Sequence, residues 1–337
     1  MSIEDDGGNW FPQELLRDAA LLPAFLLRRS QQIFSAVHRS ACQAAGVEMT
    51  EPQLDALCIL AASDRPLHQM ALARGLGYDR STTGSIVSRL VQRGFVEQTE
   101  ATDRRRRNLI LAAGAKQVVL NVEKASESAL RDTLSQAEIK SAVTALQEVA
   151  AKSDSGAPEW HPLRNGEQQI SIDWAILGSP YTTPRFLVRR CMQIGAALTA
   201  KETASLEVNH GSQFAILQAL SERSPLDQAT IGRILWIDRS RVSLTLAFLE
   251  ERGLIHRIAD AADGRRMMVT MTVAGAKALA DGKACGWRAS ERMFEDLSPA
   301  GKDRLVRALS RVVAAQPGFI GTQIRNLFRD PEAPAQA

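Results

Sequence analysis

At 337 residues, 45% of them hydrophobic, the chain is long enough for two domains of ordinary size, each with its own core. A net charge of +3 is too mild to mark a polyanion-binding protein by itself, so where arginine clusters has to carry any such reading. The 4 cysteines (Cys42, Cys58, Cys191, Cys285) show no CxxC pair and no matched histidine spacing, which argues against a zinc site and a disulfide framework in favour of buried, reduced thiols.

The start, MSIEDDGGNW, is acidic and polar rather than a signal peptide, and the apolar stretch 19–27 contains a proline and stops at Arg28-Arg29. It falls far short of the ~20 residues that span a bilayer, so a soluble, cytoplasmic protein with no membrane partner is expected. Residues 1–19 read as an N-terminal extension in which Trp10, Phe11, Leu15 and Leu16 share one face of a short helix. A long amphipathic helix is expected over 23–45, through Phe25, Leu26, Ile33 and Val37, and a second begins at Pro52 with Leu54, Leu57, Cys58 and Leu60.

Residues 66–81, PLHQMALARGLGYDRS, supply a short helix and a glycine-containing turn. Asp79 or Ser81 caps the next helix, whose apolar stripe is Ile86, Val87, Leu90 and Val91, and Arg93-Gly94 ends it. Phe95-Val96 and Leu109-Ile110-Leu111 read as a two-stranded hairpin with Asp103-Arg104-Arg105-Arg106-Arg107 at its tip. Helix, turn, helix and basic hairpin together make a winged helix-turn-helix. A helix over 114–134 follows, then one opened by the capping box Ser135/Glu138, ending near Lys152.

Residues 153–181 read as a linker, although Trp160, Ile170, Ile172, Trp174, Ile176 and Leu177 are too apolar for a free tether. The pattern then starts again, with helices over 184–205 and 212–220, a second winged unit, a helix over 275–294 and one opened by Ser298-Pro299. The tail beyond Pro317 holds Phe319, Ile320, Ile324, Leu327 and Phe328, enough for one more short helix.

The repetition extends to individual residues. Asp79-Arg80-Ser81 matches Asp238-Arg239-Ser240, Arg93-Gly94 matches Arg252-Gly253, and Asp103 with Arg105-Arg106 matches Asp263 with Arg265-Arg266. Pro23-x-Phe25 with Arg28-Arg29 matches Pro184-x-Phe186 with Arg189-Arg190. Two such units are a duplicated domain rather than a solenoid. The boundaries are 1–19 extension, 20–152 first unit, 153–181 linker, 182–316 second unit and 317–337 tail.

The stretches DRST…LVQRGFVEQTEATDRRRR and DRSR…LEERGLIHRIADAADGRR resemble the multiple-antibiotic-resistance regulator (MarR) family, over residues 20–152 and 182–316. The first-helix pattern FLLRRSQQI, echoed as FLVRRCMQI, is similar to the aromatic-acid-responsive branch. One departure is local: Thr272 stands before the second post-wing glycine, where the first copy has Ala112-Ala113. The resemblance implies a mainly α fold with small β-hairpin wings. Its two tandem winged units would form an intrachain pseudo-dimer, because family members are homodimers with interlocking first and last helices.

It also implies a ligand-responsive transcriptional regulator, a repressor rather than an activator, on an imperfect palindrome of double-stranded DNA. A small aromatic acid or phenol would release it. The DNA-facing candidates are Arg80, Ser81, Thr82, Thr83, Ser85 and wing residues Arg104, Arg105, Arg106 and Arg107 in the first copy. In the second they are Arg239, Ser240, Arg241, Ser243, Arg265 and Arg266, with Arg241 suited to a guanine. Effector candidates are Arg28, Arg29 and Gln31, and Arg189, Arg190 and Gln193, since an arginine pairs with a carboxylate. Gln31 becomes Met192 in the second copy, so only one pocket is expected to function, and His38 aligns with Thr199 and reads as structural.

No catalytic residue, cofactor or metal is expected, because no phosphate loop, nucleophile motif or ligand cluster appears and the 5 histidines are scattered. The other reading is a sensor or interaction protein without sequence-specific DNA binding. Against it, both copies keep a basic wing that a pure sensor would not need.

Overall fold

Pro23 lies in the first turn of α1 (Leu22–Ala44), where its missing N–H removes no intrahelical bond. The computed structural model describes residues 22–316 except 64, 101–106, 132–133, 162–179, 207, 209–210 and 261–265. The extension 1–19, the linker residues Ile170, Ile172, Trp174, Ile176 and Leu177, and the tail helix around Phe319 and Phe328 lie outside the described residues.

Gln53 reaches back to the Thr50 N–H (2.9 Å) to open α2 (Glu51–Ala62), which is buried at every residue from Gln53 to Ala61 and forms the centre of its core. Then come β1 (Leu67–His68), α3 (Gln69–Leu76) and α4 (Arg80–Gln92). Gly77, at φ +66°, ends α3 in the left-handed region that glycine tolerates, and the Asp79 carboxylate caps α4 by accepting from the Thr82 N–H at 2.8 Å.

The wing strands β2 (Val96–Glu100) and β3 (Arg107–Leu111) pair antiparallel, with Val96 opposite Leu111 and Gln98 opposite Leu109. The expected two-stranded hairpin is in fact a three-stranded sheet, β1-β3-β2. Leu67-His68 is too short to show strand alternation in the sequence. Helices α5 (Ala115–Arg131) and α6 (Gln136–Ala150) follow, the second opened by the Ser135/Glu138 capping box.

The order recurs in α7 (Pro184–Glu202), α8 (Gly211–Glu222), β4 (Leu226–Asp227), α9 (Gln228–Leu235), α10 (Arg239–Glu251), β5 (Ile255–Ala259), β6 (Met267–Met271), α11 (Val273–Phe294) and α12 (Pro299–Ala314). The second sheet, β4-β6-β5, mirrors the first. Among the described residues the fold is therefore mainly helical with two small antiparallel sheets.

The described residues gather into two compact bodies, 26–194 with 293–315, and 22–25 with 195–292 and 316. The bodies and the sequence copies divide the chain differently. Residues 184–194 of α7 and all of α12 come from the second copy, yet they belong to the body built around the first winged unit. There α12 packs along α6, and Lys152, almost fully buried, reaches Glu295 (2.6 Å) and Asp296 (2.9 Å). Burial opposes the Lys152 cation, but these two carboxylates outweigh it and raise the amine above its ordinary pKa.

In the second body Gly282 is required by packing, since a Cβ there would fall 1.5 Å from the Phe214 ring. Thr272 donates to the Gly253 carbonyl (2.7 Å) and accepts from the Gly275 N–H (3.0 Å), holding the start of α11 against the end of α10. No described helix is long and apolar enough to cross a membrane.

Candidate nucleic-acid interface and ligand pocket

The two recognition helices, α4 and α10, are seated alike. Gln69 Nε2 donates to the Arg80 carbonyl (3.0 Å), and Gln228 Nε2 to the Arg239 carbonyl (3.3 Å), fixing each first turn to the preceding helix. Asp79 and Asp238 cap them, and both carboxyl groups are held below the usual carboxylate range. The Thr82 backbone N–H is the main cause for Asp79, and the Ser240 hydroxyl for Asp238.

Beyond the caps, Arg80, Ser81, Thr82 and Ser85 are exposed on α4, and Arg239, Ser240, Arg241 and Ser243 on α10. Thr83 requires a correction. Its side chain is buried at 0% exposure and its hydroxyl donates to the Asp79 carbonyl (2.9 Å), so it belongs to the core face of α4. The Thr82 and Ser240 hydroxyls both donate to their capping carboxylates, at 2.7 and 2.5 Å, and so offer acceptor lone pairs rather than a donor. Leu244, 74% exposed on α10, was not among the sequence candidates.

Of the wing arginines, Arg104, Arg105, Arg106 and Arg265 lie outside the described residues. Arg107 is exposed at the start of β3. Arg266 is exposed at the edge of β6 and pairs with Asp227 at 2.8 Å.

Three arginines from α7 enter the first body, and they differ in what they meet. Arg185 bonds Asp55 (2.7 Å) and Glu123 (2.7 Å), while Arg189 Nε bonds the other Asp55 oxygen (2.7 Å). All four side chains are less than a tenth exposed. Burial works against the Arg185 cation, but Asp55 and then Glu123 outweigh it and hold its pKa well above the ordinary value. Arg189 also lies over the rings of Phe186 (4.8 Å) and Tyr78 (5.0 Å). Its expected effector role is corrected: the guanidinium is already neutralised by Asp55.

Arg190 is different. It is 2% exposed, its Nη1 donates to Gln193 Oε1 (3.2 Å), and its Nε and the Gln193 Nε2 have no hydrogen-bond partner. Burial lowers its pKa to about 10. In the first copy, Arg29 makes the same bond to Gln32 (3.1 Å) and burial likewise lowers its pKa to about 10. Gln32 aligns with Gln193 and makes the matching bond, whereas the effector candidate Gln31, which aligns with Met192, donates its amide to Glu51 (2.9 Å) and Ser35 (3.3 Å). Arg28 is half-buried on α1.

One aromatic ring lies against Arg190 and leads to two more. Its guanidinium lies 5.6 Å from the Trp160 ring centre; Trp160 meets Tyr181 edge-on at 6.1 Å, and Tyr181 meets Phe186 at 5.4 Å. Trp160 Nε1 donates to the Gly75 carbonyl (3.1 Å), the His161 N–H to the Arg74 carbonyl (3.1 Å), and Glu159 pairs with Arg74 (3.2 Å). The linker thus straps across the end of α3. A Cβ on Gly77 would lie 2.8 Å from Arg190 Nη1 and 3.1 Å from Trp160, so these two side chains abut the turn leading into α4. A cavity of about 370 Å³ at the base of the wing is bordered by Ser63, Arg65 and Lys116 and by none of the effector candidates.

Among the described residues no group of histidine, cysteine and acidic side chains is placed to hold a metal ion. All four cysteines are buried. Cys58 donates to Glu123 (3.6 Å), and burial pushes its thiol up, away from nucleophilic use. His38 bonds the Met49 carbonyl (2.8 Å), a structural role.

The profile of the MarR family matches residues 47–107 and, separately, 210–266. The HTH-type transcriptional regulator SarZ of Staphylococcus haemolyticus is 27% identical over 105 residues, spanning 31% of this chain and 69% of that protein. The transcriptional regulator HosA of Escherichia coli O157:H7 is 28% identical over 101 residues, spanning 30% and 75%. A probable transcriptional regulator from Pseudomonas aeruginosa, of known crystal structure, is 31% identical and covers 38% of this chain and 95% of its own, with a TM-score of 0.36. With one match across each recognition helix, the chain carries the MarR-family winged helix-turn-helix twice.

Proposed function

We propose that this chain is a ligand-responsive DNA-binding repressor in which one polypeptide supplies both winged units of a pseudo-dimer. Support comes from the paired, capped and exposed first turns of α4 and α10, each carrying arginine and hydroxyl groups suited to phosphates and base edges. Residues 184–194 and α12 of the second copy, built into the body of the first winged unit, support pairing within the chain. Two unlike recognition helices fit an imperfect palindrome with half-sites one helical turn, about 34–36 Å, apart. Bound there, the protein blocks polymerase.

The effector is a small aromatic acid. The observation that carries this is Arg190, a cation 2% exposed with no carboxylate partner among its described contacts, lying 5.6 Å from the centre of the Trp160 ring. A buried charge left unpaired is costly, and an incoming carboxylate supplies the missing counter-charge and hydrogen bonds. Because Arg190 Nη1 stands against Gly77, an anion drawing the guanidinium toward itself changes the support of the turn before α4.

The test is fluorescence anisotropy of a duplex selected from random DNA by the full chain. Benzoate and hydroxybenzoates should release the duplex, while toluene should not. Arg190→Met should keep the DNA affinity and abolish release. Release of the variant at the same benzoate concentration would refute the pocket, and a duplex bound no better than bulk DNA would refute the regulator.

A further inference from the structure

The recognition helices differ along the line pointing away from their own cores. On α10 the core side is Val242, Leu246 and Leu249, and the exposed line opposite, at one-face spacing, is Ser240, Leu244, Ala247 and Glu251. The matching line on α4, opposite Thr83, Val87 and Leu90, is Ser81, Ser85, Ser88 and Gln92. A ridge with three serines in one copy thus keeps only the first of them in the other, where leucine and alanine follow. A single exposed leucine is ordinary on a protein surface. Leu244 is informative because of its place: 74% exposed, on the outward line of a helix capped by Asp238, three residues beyond exposed Arg241.

We infer that Leu244 is a base-reading residue whose side chain packs on the C5-methyl group of a thymine in the major groove of the second copy's half-site. This rests on the DNA-binding reading above and adds a residue and a base to it. Thymine presents the one methyl group on the major-groove edges of the four bases, and a leucine can answer it only by apolar contact. Cytosine in the same place offers an amino donor that leucine desolvates without replacing its hydrogen bond. Ser85, at the matching position, donates to or accepts from any base edge and so discriminates little.

Arg241 lies about 4.5 Å along the axis from Leu244, against a base step of about 3.4 Å. A guanine read by Arg241 and a thymine read by Leu244 therefore fall within one or two base pairs of each other. The first half-site carries neither preference, because Thr82 and Ser85 occupy those positions. The asymmetry of the operator is thereby assigned to two named side chains on one helix.

The test uses the full chain and the duplex it selects from random DNA. Each thymine is replaced in turn by deoxyuridine, which keeps base pairing and removes only the methyl group. Substitution of one thymine, within two base pairs of a guanine in one half-site, should weaken binding about fourfold, the worth of one buried carbon group. Leu244→Ser should show no loss at that position while melting at the same temperature. Equal sensitivity in the variant, or no sensitive thymine in the parent, would overturn the assignment. Absence of any selected sequence would overturn the DNA-binding reading on which it stands, a different result from an insensitive operator.

Discussion

Asp55→Asn tests the way the second copy's first helix is anchored in the first body. The wild-type carboxylate is fully buried and bonds Arg185 and Arg189 at 2.7 Å each. Asparagine keeps the shape and removes the charge. Arg185 then retains Glu123, whereas Arg189 is left with the Leu76 carbonyl at 3.4 Å and two aromatic faces. Removing one partner of a buried ion pair costs about 3–5 kcal/mol, because the remaining charge stays desolvated without a counter-charge. For a body of this size 1 kcal/mol corresponds to about 2–4 °C, so melting should fall by about 6–20 °C. Calorimetry reads the loss, and hydrogen exchange locates it: amides of residues 184–194 should lose protection first. Asp55→Leu with Arg189→Met removes both charges and should recover part of the loss. A variant melting within about 2 °C of the parent, less than the shift expected for 1 kcal/mol, with those amides still protected, would refute the reasoning.

Gly77→Ala should destabilise the first winged unit by about 1–3 kcal/mol in urea unfolding, since it strains a φ of +66° and drives a Cβ to 2.8 Å from Arg190; a neutral result would show that the turn is free to relax. The depressed carboxyls of Asp79 and Asp238 set a pH dependence. Their capping bonds are fully present above the unfolded-state pKa of aspartate and lost as pH falls through the lower folded value. The Thr82 and Arg241 amides should therefore stay protected to a pH below the usual aspartate titration, and early fraying in an NMR titration would contradict the caps. Arg107→Ala with Arg266→Ala should flatten the slope of log K against log salt by about 0.9 per lost phosphate contact, and an unchanged slope would remove these residues from the interface.

The order of elements was readable because it depends on local chemistry. Asp79 and Asp238 stand where a cap must, Gly94 and Gly253 where a left-handed residue must, and the apolar spacing between them is helical. What a side chain meets across the fold was less readable. Arg185, Arg189 and Arg190 are one residue type within six positions of one helix, and only the packing distinguishes an arginine neutralised by Asp55 from one left without a carboxylate. Thr83 looked like its exposed neighbours because a hydroxyl bonded to the Asp79 carbonyl is indistinguishable in sequence from one facing solvent.

Trp160 read only as an apolar linker residue, since its partner, the Gly75 carbonyl, has no sequence signature. Two signals were available and unused. Arg185 replaces Ala24 in an otherwise matching Pro-x-Phe motif, and Leu244 replaces Ser85 in a line of hydroxyls. Both are differences between copies, and in a duplicated chain such differences mark what each half does alone.

The central claim is that one chain is a complete DNA-binding unit. Mass determination of the purified complex with its selected duplex, combined with footprinting, tests it most directly. One chain is expected on each duplex, protecting two unequal half-sites a helical turn apart. Two chains on a symmetric site would contradict it.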